Sequence, residues 1–288
     1  MKVTLKKGAV TAVAQTLGGE LVSYKKNGKE YVWTGDEKYW PGQAPHLFPF
    51  VSSLVDGKTK IEGKECYIPT RHGFVRQSEL SLVESNDTKA VFELRETEEI
   101  LKNYPFKFSF KAAHEITENG FSTTYTVKNL DERDMPFCIG GHPGFLLEDG
   151  MENYKLVFEQ EENCDIGHVD EKSRYCDDFV IEKRLVGKEW ELCYKDFDID
   201  ALFVKGVKSN KVSIVKKETN EVLLTFDYTD FSELVLWTAP GKNAPYLCLE
   251  PWNGLPPVIG ESGNFEDKPY IRKLAPGEEY SVGYKVEL

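Results

Sequence analysis

The chain has 288 residues, of which 40% are hydrophobic and 29% charged, an ordinary balance for a globular protein that argues against disorder. Its net charge is −12, from 36 lysines and arginines against 48 aspartates and glutamates, and no basic block offsets the excess. This charge disfavours nucleic acid and anionic membranes as partners, and it favours a neutral or small partner.

Targeting and redox signals are sparse. The first ten residues, "MKVTLKKGAV", lack the apolar stretch of a signal peptide, and no apolar run approaches membrane-spanning length. The six cysteines, at positions 66, 138, 164, 176, 193 and 248, form no C-x-x-C pair. We therefore expect reduced thiols in a cytoplasmic protein. The spacing of the five histidines predicts no metal centre.

Strand and turn patterns dominate the chain. The dipeptides Asn27-Gly28 and Asn119-Gly120 each separate two strand-like runs and predict hairpins with type I′ turns. "SNDT" and "ETNE" predict two further hairpins, and residues 121–128 and 222–228 alternate apolar with polar side chains. Only residues 96–104 resemble a helix, which Pro105 would stop. We predict a single domain over residues 1–288, all-β, folded as a large, mostly antiparallel β-sandwich.

Two titratable side chains each precede a proline. His142 lies in "GGHPGF" (140–145), and Glu250 lies in "LCLEPWNGLPP" (247–257), where Pro251 predicts that the strand ends. Loops at sheet ends are where a rigid scaffold displays functional groups. The structural alternatives are a turn histidine bonded to its own backbone and a solvated carboxylate, and spacing alone does not decide between them.

Two further stretches carry polar candidates. "IPTRHGFVRQSEL" (68–80) places His72 between Arg71 and Arg76, and Gly73 there permits close approach of a ligand or a flexible backbone. "FDIDALFVKG" (197–206) places Asp200 ahead of an apolar run. Alone, these stretches are equally typical of a polar loop and a turn cap.

Taken in order, these stretches resemble the aldose 1-epimerase (mutarotase) family, and its short bacterial epimerase-like branch in particular. The shared landmarks span residues 45 to 280 and are "PHLFPFVSSLVDGK", "RHGFVR", "NYPFKFSF", "GGHPGF", "DALFVKG", "EPWNGLPP" and "NFEDKPYIRKLAPGEEY". Each motif is weak by itself, but seven in the right order are specific. The resemblance implies a galactose mutarotase-like supersandwich with a sugar-binding cleft.

The resemblance also implies roles. His142 matches the histidine that donates a proton to the ring oxygen, and Glu250 matches the carboxylate that takes the proton of the anomeric hydroxyl. His72 matches a cleft histidine that hydrogen-bonds the sugar, and Asp200 matches an acid that holds ring hydroxyls. Among the tryptophans only Trp252, close to Glu250, is kept as a candidate for stacking on the sugar, whereas Trp33 and Trp40 are read as core.

By the same resemblance the reaction interconverts the α and β anomers of a free aldohexose such as glucose or galactose. Free glutamate and histidine have pKa values of about 4.3 and 6.5, so near neutrality one is a base and the other can supply a proton. No metal or cofactor is needed. The expected partner is a small sugar rather than nucleic acid or membrane, and the protein is expected to be a monomer or homodimer.

One departure from the family pattern keeps two alternatives open. Ser53 stands where relatives carry an arginine that contacts the sugar. A hexose-6-phosphate 1-epimerase shares several landmarks and would use Arg71 and Arg76 for the phosphate, although residues 39–49 lack the arginine typical of that branch. The other alternative is a non-catalytic sugar-binding or sensor protein on the same fold.

Overall fold

Alternating apolar and polar residues form antiparallel strands throughout the computed structural model, which describes residues 1–169 and 180–288. In chain order the strands are β1 Lys2–Lys7, β2 Val10–Gln15, β3 Leu21–Lys26, β4 Lys29–Glu30, β5 His46–Leu47, β6 Lys58–Ile61, β7 Lys64–Tyr67, β8 Ser81–Ser85, β9 Lys89–Arg95, β10 Phe108–Thr117, β11 Gly120–Asn129, β12 Met135–Phe137, β13 Ile139–Gly141, β14 Gly144–Leu146, β15 Tyr154–His168, β16 Val180–Glu191, β17 Leu202–Lys205, β18 Lys211–Lys216, β19 Val222–Asp227, β20 Glu233–Trp237, β21 Tyr246–Asn253, β22 Arg272–Leu274 and β23 Glu279–Glu287. The helical segments are α1 Glu98–Leu101 and 3-10 turns at Val55–Gly57, Val75–Gln77, Met151–Asn153, Tyr194–Phe197 and Phe265–Asp267.

Most strands belong to one large sheet. Within the described residues it has 15 strands, in the order β5-β13-β21-β20-β17-β15-β18-β19-β23-β11-β10-β9-β8, with β14 beside β21 and β16 beside β15. A twisted sheet of more than about ten strands curls or splits into packed layers. Strands β1 to β4 form a second sheet, whose Leu5 and Ala12 share one buried cluster with Phe92 and Phe110 of the large sheet. The prediction of a large antiparallel β-sandwich is confirmed.

All four predicted hairpins form, but one turn lies one residue away from its predicted position. Asn27 and Gly28 have φ values of 53° and 82°, as a type I′ turn between β3 and β4 requires. The hairpins at "SNDT" and "ETNE" join β8 to β9 and β18 to β19. The type I′ prediction at Asn119-Gly120 was wrong, because Thr117 pairs with Gly120 and the turn falls one residue earlier.

The predicted helix is shorter than its sequence pattern. Thr97 caps it, since the Thr97 hydroxyl accepts the N–H of Ile100 at 3.2 Å, and α1 then covers only Glu98–Leu101. Tyr104 instead anchors the following segment, because its ring is fully buried and its hydroxyl donates to the carbonyl of Pro136 at 2.8 Å. The buried position of Tyr104 therefore accounts for why the helix does not continue to residue 104.

The prediction that a strand ends at Glu250 was wrong, because β21 continues through Pro251 to Asn253. Leu249 donates its N–H to Pro143 at 3.2 Å, so alternate residues of β21, including Pro251, face the same side. On that side the neighbouring strand is interrupted at His142 and Pro143, between β13 and β14. The register places Pro251 opposite Gly141, beside this interruption and one residue beyond the last pair of β13 with β21, Gly140 with Trp252, so its missing donor breaks none of those pairs.

Gly73 permits a close approach, but the approaching group is the protein's own chain rather than a ligand. Its φ is 74°, and a Cβ there would lie 2.0 Å from the carbonyl oxygen of Phe48. Phe48 and Gly73 form a parallel bridge, and Phe74 donates its N–H to the Phe48 carbonyl at 3.1 Å. This contact joins the segment that carries His72 to Phe48, the residue that follows β5.

We expect Gly73→Ala to destabilise the protein more than Gly28→Ala. Both substitutions place a side chain at positive φ, 74° and 82°, which is worth about 1–3 kcal/mol. A Cβ at Gly28 meets nothing within 4 Å, whereas one at Gly73 overlaps the Phe48 carbonyl and should add about 1–3 kcal/mol. Denaturant unfolding of both variants measures the difference, and equal losses would contradict the packing explanation.

Candidate functional site

A cleft opens where the strands β5, β13, β21, β20 and β17 lie side by side in the large sheet. Its cavity of about 230 Å³ is smaller than the roughly 300–1,000 Å³ typical of pockets for drug-sized ligands, which suits a monosaccharide-sized ligand. All six residues that the sequence nominated line it, and they are His72, Arg76, His142, Asp200, Glu250 and Trp252.

His142 occupies the two-residue break between β13 and β14. Its N–H donates to the carbonyl of Pro45 at 3.0 Å, which fixes the break against the segment leading into β5. The glycines around it permit close packing rather than unusual dihedral angles. A Cβ at Gly141 would lie 2.7 Å from the hydroxyl oxygen of Tyr125, and one at Gly140 would lie 2.9 Å from the Pro251 carbonyl oxygen.

Glu250 projects from the middle of β21, where it pairs with Val235 of β20. Its Oε1 lies 3.2 Å from His142 Nε2, and the two side chains are only 2% and 8% exposed. Glu250 Oε2 and His142 Nδ1 have no hydrogen-bond partner within the described residues. The structure thus brings a carboxyl and an imidazole, 108 residues apart in sequence, into direct contact.

Burial sets the protonation of this pair. It lowers the pKa of His142 to about 3, and the nearby Arg76 guanidinium acts in the same direction. Burial also raises the pKa of Glu250 well above its usual range, with Asp200 adding to the effect and Arg76 opposing it. Both shifts favour the uncharged side chains, a protonated Glu250 beside a neutral His142, in which the pair holds one proton and carries no net charge.

The backbone of Ser52, 20 residues earlier in the chain, holds the His72 side chain in place. The backbone N–H of His72 donates to the Ser52 carbonyl at 2.6 Å, and its Nδ1 accepts the N–H of Ser52 at 3.0 Å. Burial lowers the pKa of His72 well below its ordinary value, and His142 adds to this. A neutral imidazole whose Nδ1 accepts must carry its proton on Nε2, so His72 has a free donor.

Ser53, which stands where relatives carry an arginine, lies outside the cleft lining. Ser53 is not among the described residues that line the cavity, whereas its neighbour Ser52 is. Ser52 has a φ of 58° and contributes its backbone to His72.

Asp200 connects two cleft residues, instead of capping a turn. Its Oδ1 accepts the indole N–H of Trp237 at 3.1 Å, and its Oδ2 lies 3.4 Å from Nη1 of Arg71. Arg71 is 59% exposed at the cleft entrance, so this ion pair adds little stability.

Arg76 and Trp252 differ in what they can offer a ligand. The Arg76 guanidinium is half-buried and makes no hydrogen bond or ion pair with any described residue, and burial lowers its pKa. Trp252 is only 3% exposed and packs edge-on against His72 and Phe203, so little of its ring face is open to a sugar.

Sequence reasoning missed an aromatic part of the site. Trp40 lines the cleft with its ring centroid 4.9 Å from that of His142, although the sequence analysis placed it in the core. Trp237 and Phe203 also line the cleft, from β20 and β17. The alternation of β20 could have identified Trp237, because it falls on the same face as Val235, the partner of Glu250.

Two of the other buried histidines, His46 and His114, have structural roles. The carbonyl oxygen of Gly19 accepts from Nε2 of His46 at 2.9 Å and from Nε2 of His114 at 2.7 Å. Burial lowers the pKa of His46 to about 3 and that of His114 to about 4, so each ring donates from Nε2 and accepts at Nδ1, from the hydroxyls of Tyr125 and Thr123 respectively. Both rings are therefore neutral and fully occupied.

Among the described residues, no group of three or more histidine, cysteine or acidic side chains could hold a metal ion. The five cysteines within those residues are free thiols, and Cys176 lies outside them. No helix in the described ranges is long and apolar enough to span a bilayer.

Comparison with known proteins supplies the family context. The family profile described as aldose 1-epimerase matches residues 1–287. The chain is 34% identical to the plasmid-encoded protein LacX of Lactococcus lactis subsp. lactis, over all of this chain and 99% of that protein, and 33% identical to the chromosomal LacX.

Solved structures agree. A galactose mutarotase related enzyme from Lactobacillus acidophilus superposes with a TM-score of 0.89 at 25% identity, covering 100% of this chain and 97% of that one. A galactose mutarotase-like protein from Lactobacillus casei ATCC 334 gives the same TM-score and identity, with 100% and 99% coverage. The fold is thus the galactose mutarotase-like one.

Proposed function

Because the chain belongs to the aldose 1-epimerase family, we propose that it interconverts the α and β anomers of a free aldohexose by acid–base opening and closing of the ring. The observation that carries the proposal is the buried contact between His142 and Glu250. A sugar-binding site alone does not require two titratable groups that share one proton.

The chemistry needs one proton delivered to the ring oxygen while another leaves the anomeric hydroxyl. The proton that the pKa shifts favour on Glu250 must first move across the 3.2 Å contact to His142, and the pair then presents an imidazolium acid and a carboxylate base. Glu250 takes the hydroxyl proton, His142 gives its proton to the ring oxygen, and the bond between C1 and that oxygen breaks. Rotation about C1–C2 followed by the reverse transfers closes the ring as the other anomer.

The short separation of the pair fits this reaction. The ring oxygen and the anomeric hydroxyl oxygen are both bonded to C1, so the acid and the base must reach two neighbouring atoms. Side chains already 3.2 Å apart can do so from one wall of the cleft. Before and after the ring opens, the pair and sugar together hold the same number of protons, so no proton must be exchanged with water in mid-reaction.

Two further residues would hold the sugar. The free Nε2–H of His72 can donate to a sugar hydroxyl or to the ring oxygen, since Ser52 fixes the tautomer. Asp200 can accept hydrogen bonds from sugar hydroxyls, with Trp237 fixing its carboxylate. The aromatic lining excludes water and strengthens both contacts.

We expect Glu250→Gln and His142→Asn each to abolish most of the catalysed mutarotation. Each group should contribute about 10²–10⁴-fold to the rate. Polarimetry of fresh α-D-glucose and α-D-galactose, corrected for the buffer rate, measures this loss. Glu162→Gln is the matched control, since Glu162 is a carboxylate 3% exposed that bonds Ser209 outside the cleft. A wild type that binds sugar but matches the buffer rate would favour the sugar-binding protein instead.

The pH profile of kcat/KM should be broader than free side chains would give. Free glutamate and histidine would give a bell with limbs near about 4.3 and 6.5. Below the lowered pKa of His142 a second proton leaves the pair without a base, and above the raised pKa of Glu250 it has no acid. The acid limb should therefore lie below about pH 4.3, and the basic limb should be set by the raised pKa of Glu250 rather than by a free histidine. A bell confined between about pH 4.3 and 6.5 would contradict the shared-proton assignment.

A phosphorylated hexose is the second candidate, and the half-buried, unpaired guanidinium of Arg76 favours it. A charge-assisted bond to phosphate is worth about 1.5–3 kcal/mol. If that substrate is correct, Arg76→Gln should lower kcat/KM for glucose 6-phosphate about tenfold or more relative to glucose. Arg184→Gln is the control, because Arg184 is an exposed arginine outside the cleft. An unchanged ratio would exclude a phosphate contact at Arg76.

A further inference from the structure

The Nδ1 atom of the His142 imidazole has no hydrogen-bond partner among the described residues, so only the contact of Nε2 with Glu250 orients the ring through a polar atom. Rotating the ring by half a turn would replace Nε2 with a carbon opposite Glu250 and break the 3.2 Å contact. Acid–base histidines are commonly held by a carbonyl or carboxylate on their other nitrogen. Here Nδ1 is buried without such a partner among the described residues, so another interaction must hold the ring.

Three rings surround it. The Trp40 indole lies across the imidazole at 4.9 Å with an interplanar angle of 31°. Trp237 meets it edge-on at 5.4 Å, and His72 meets it edge-on at 5.5 Å. Trp40 is therefore the ring nearest to parallel with His142, and a parallel neighbour resists rotation of the imidazole out of its plane.

Trp40 is itself fixed in place. The backbone N–H of Trp40 donates to the Asp36 carbonyl at 2.9 Å, and the backbone carbonyl of Trp40 accepts the indole N–H of Trp33 at 2.8 Å. Its ring lies against the backbone of Gly42, where a Cβ would come within 2.5 Å of the indole carbon Cζ2. Gly42 has no positive φ, so only this ring excludes a side chain there.

We propose that Trp40, placed against Gly42, is a positioning residue that holds the His142 imidazole with Nε2 towards Glu250. Packing of the Trp40 ring fixes the orientation of the imidazole, as a hydrogen bond at Nδ1 does in many other acid–base histidines. When Nε2 gives up its proton, the neutral ring keeps its other proton on Nδ1, which has no acceptor among the described residues, so that nitrogen does not help to hold the ring. The kinetic consequence rests on the proposed epimerase function, but the orientation itself does not.

The test compares Trp40→Leu, Trp40→Phe and Gly42→Ala with the wild type. Trp40→Leu removes the flat wall, Gly42→Ala displaces it, and Trp40→Phe keeps a ring. Trp190→Leu is the control, because it removes an indole on β16 outside the cleft lining. Two-bond proton–nitrogen NMR correlations of His142, assigned with His142→Asn, report which ring nitrogen is hydrogen-bonded, and mutarotation kinetics report kcat and KM.

We expect Trp40→Leu and Gly42→Ala to lose the defined Nε2 hydrogen-bonded signal and to lower kcat by up to about 100-fold with KM little changed. Trp40→Phe should restore much of both. Unchanged His142 signals in Trp40→Leu would overturn the proposal, as would a rise in KM at constant kcat, which would make Trp40 a sugar platform. If the wild type shows no turnover, the epimerase function fails while the NMR result still decides the orientation.

Discussion

The contact between His142 Nε2 and Glu250 Oε1 joins two titratable groups that are both removed from water. Burying either one charged and alone would be costly, whereas a pair that shares one proton has no net charge to desolvate. The two buried groups therefore stabilise each other, and the fold must place them in contact. The break between β13 and β14 delivers the histidine, and the middle of β21 delivers the glutamate.

Two prolines make this delivery possible. Pro143 interrupts the strand beside β21, and its carbonyl accepts the N–H of Leu249 at 3.2 Å. Pro251 lies beside the same interruption, one residue beyond the last pair of β13 with β21, Gly140 with Trp252. The same break lets the His142 side chain enter the cleft in place of a regular strand residue.

Much of this architecture was accessible from sequence. Alternation and Asn-Gly turns identified the strands and hairpins, because these signals are local, and the ordered motifs nominated six residues that the structure brings into one cleft. What local patterns missed depends on pairing across the sheet. The continuation of β21 past Pro251 depends on a gap in a neighbouring strand, and the turn before Gly120 depends on Thr117 pairing with it. Trp40 was assigned to the core because nothing in its neighbourhood indicates that its ring would meet His142.

The electrostatic design follows from the substrate class that the family handles. A neutral sugar brings no charge to compensate a buried carboxylate or imidazolium, so a cleft for it cannot rely on the ligand to stabilise an ionised group. A neutral pair solves this, since moving its proton creates a dipole within 3.2 Å rather than an isolated charge. The unpaired Arg76 is the exception, because its charge lowers the pKa of both His142 and Glu250. It favours the carboxylate while disfavouring the imidazolium, so an anionic group bound at Arg76 would make His142 easier to protonate. A phosphorylated substrate would therefore alter the acid as well as the affinity.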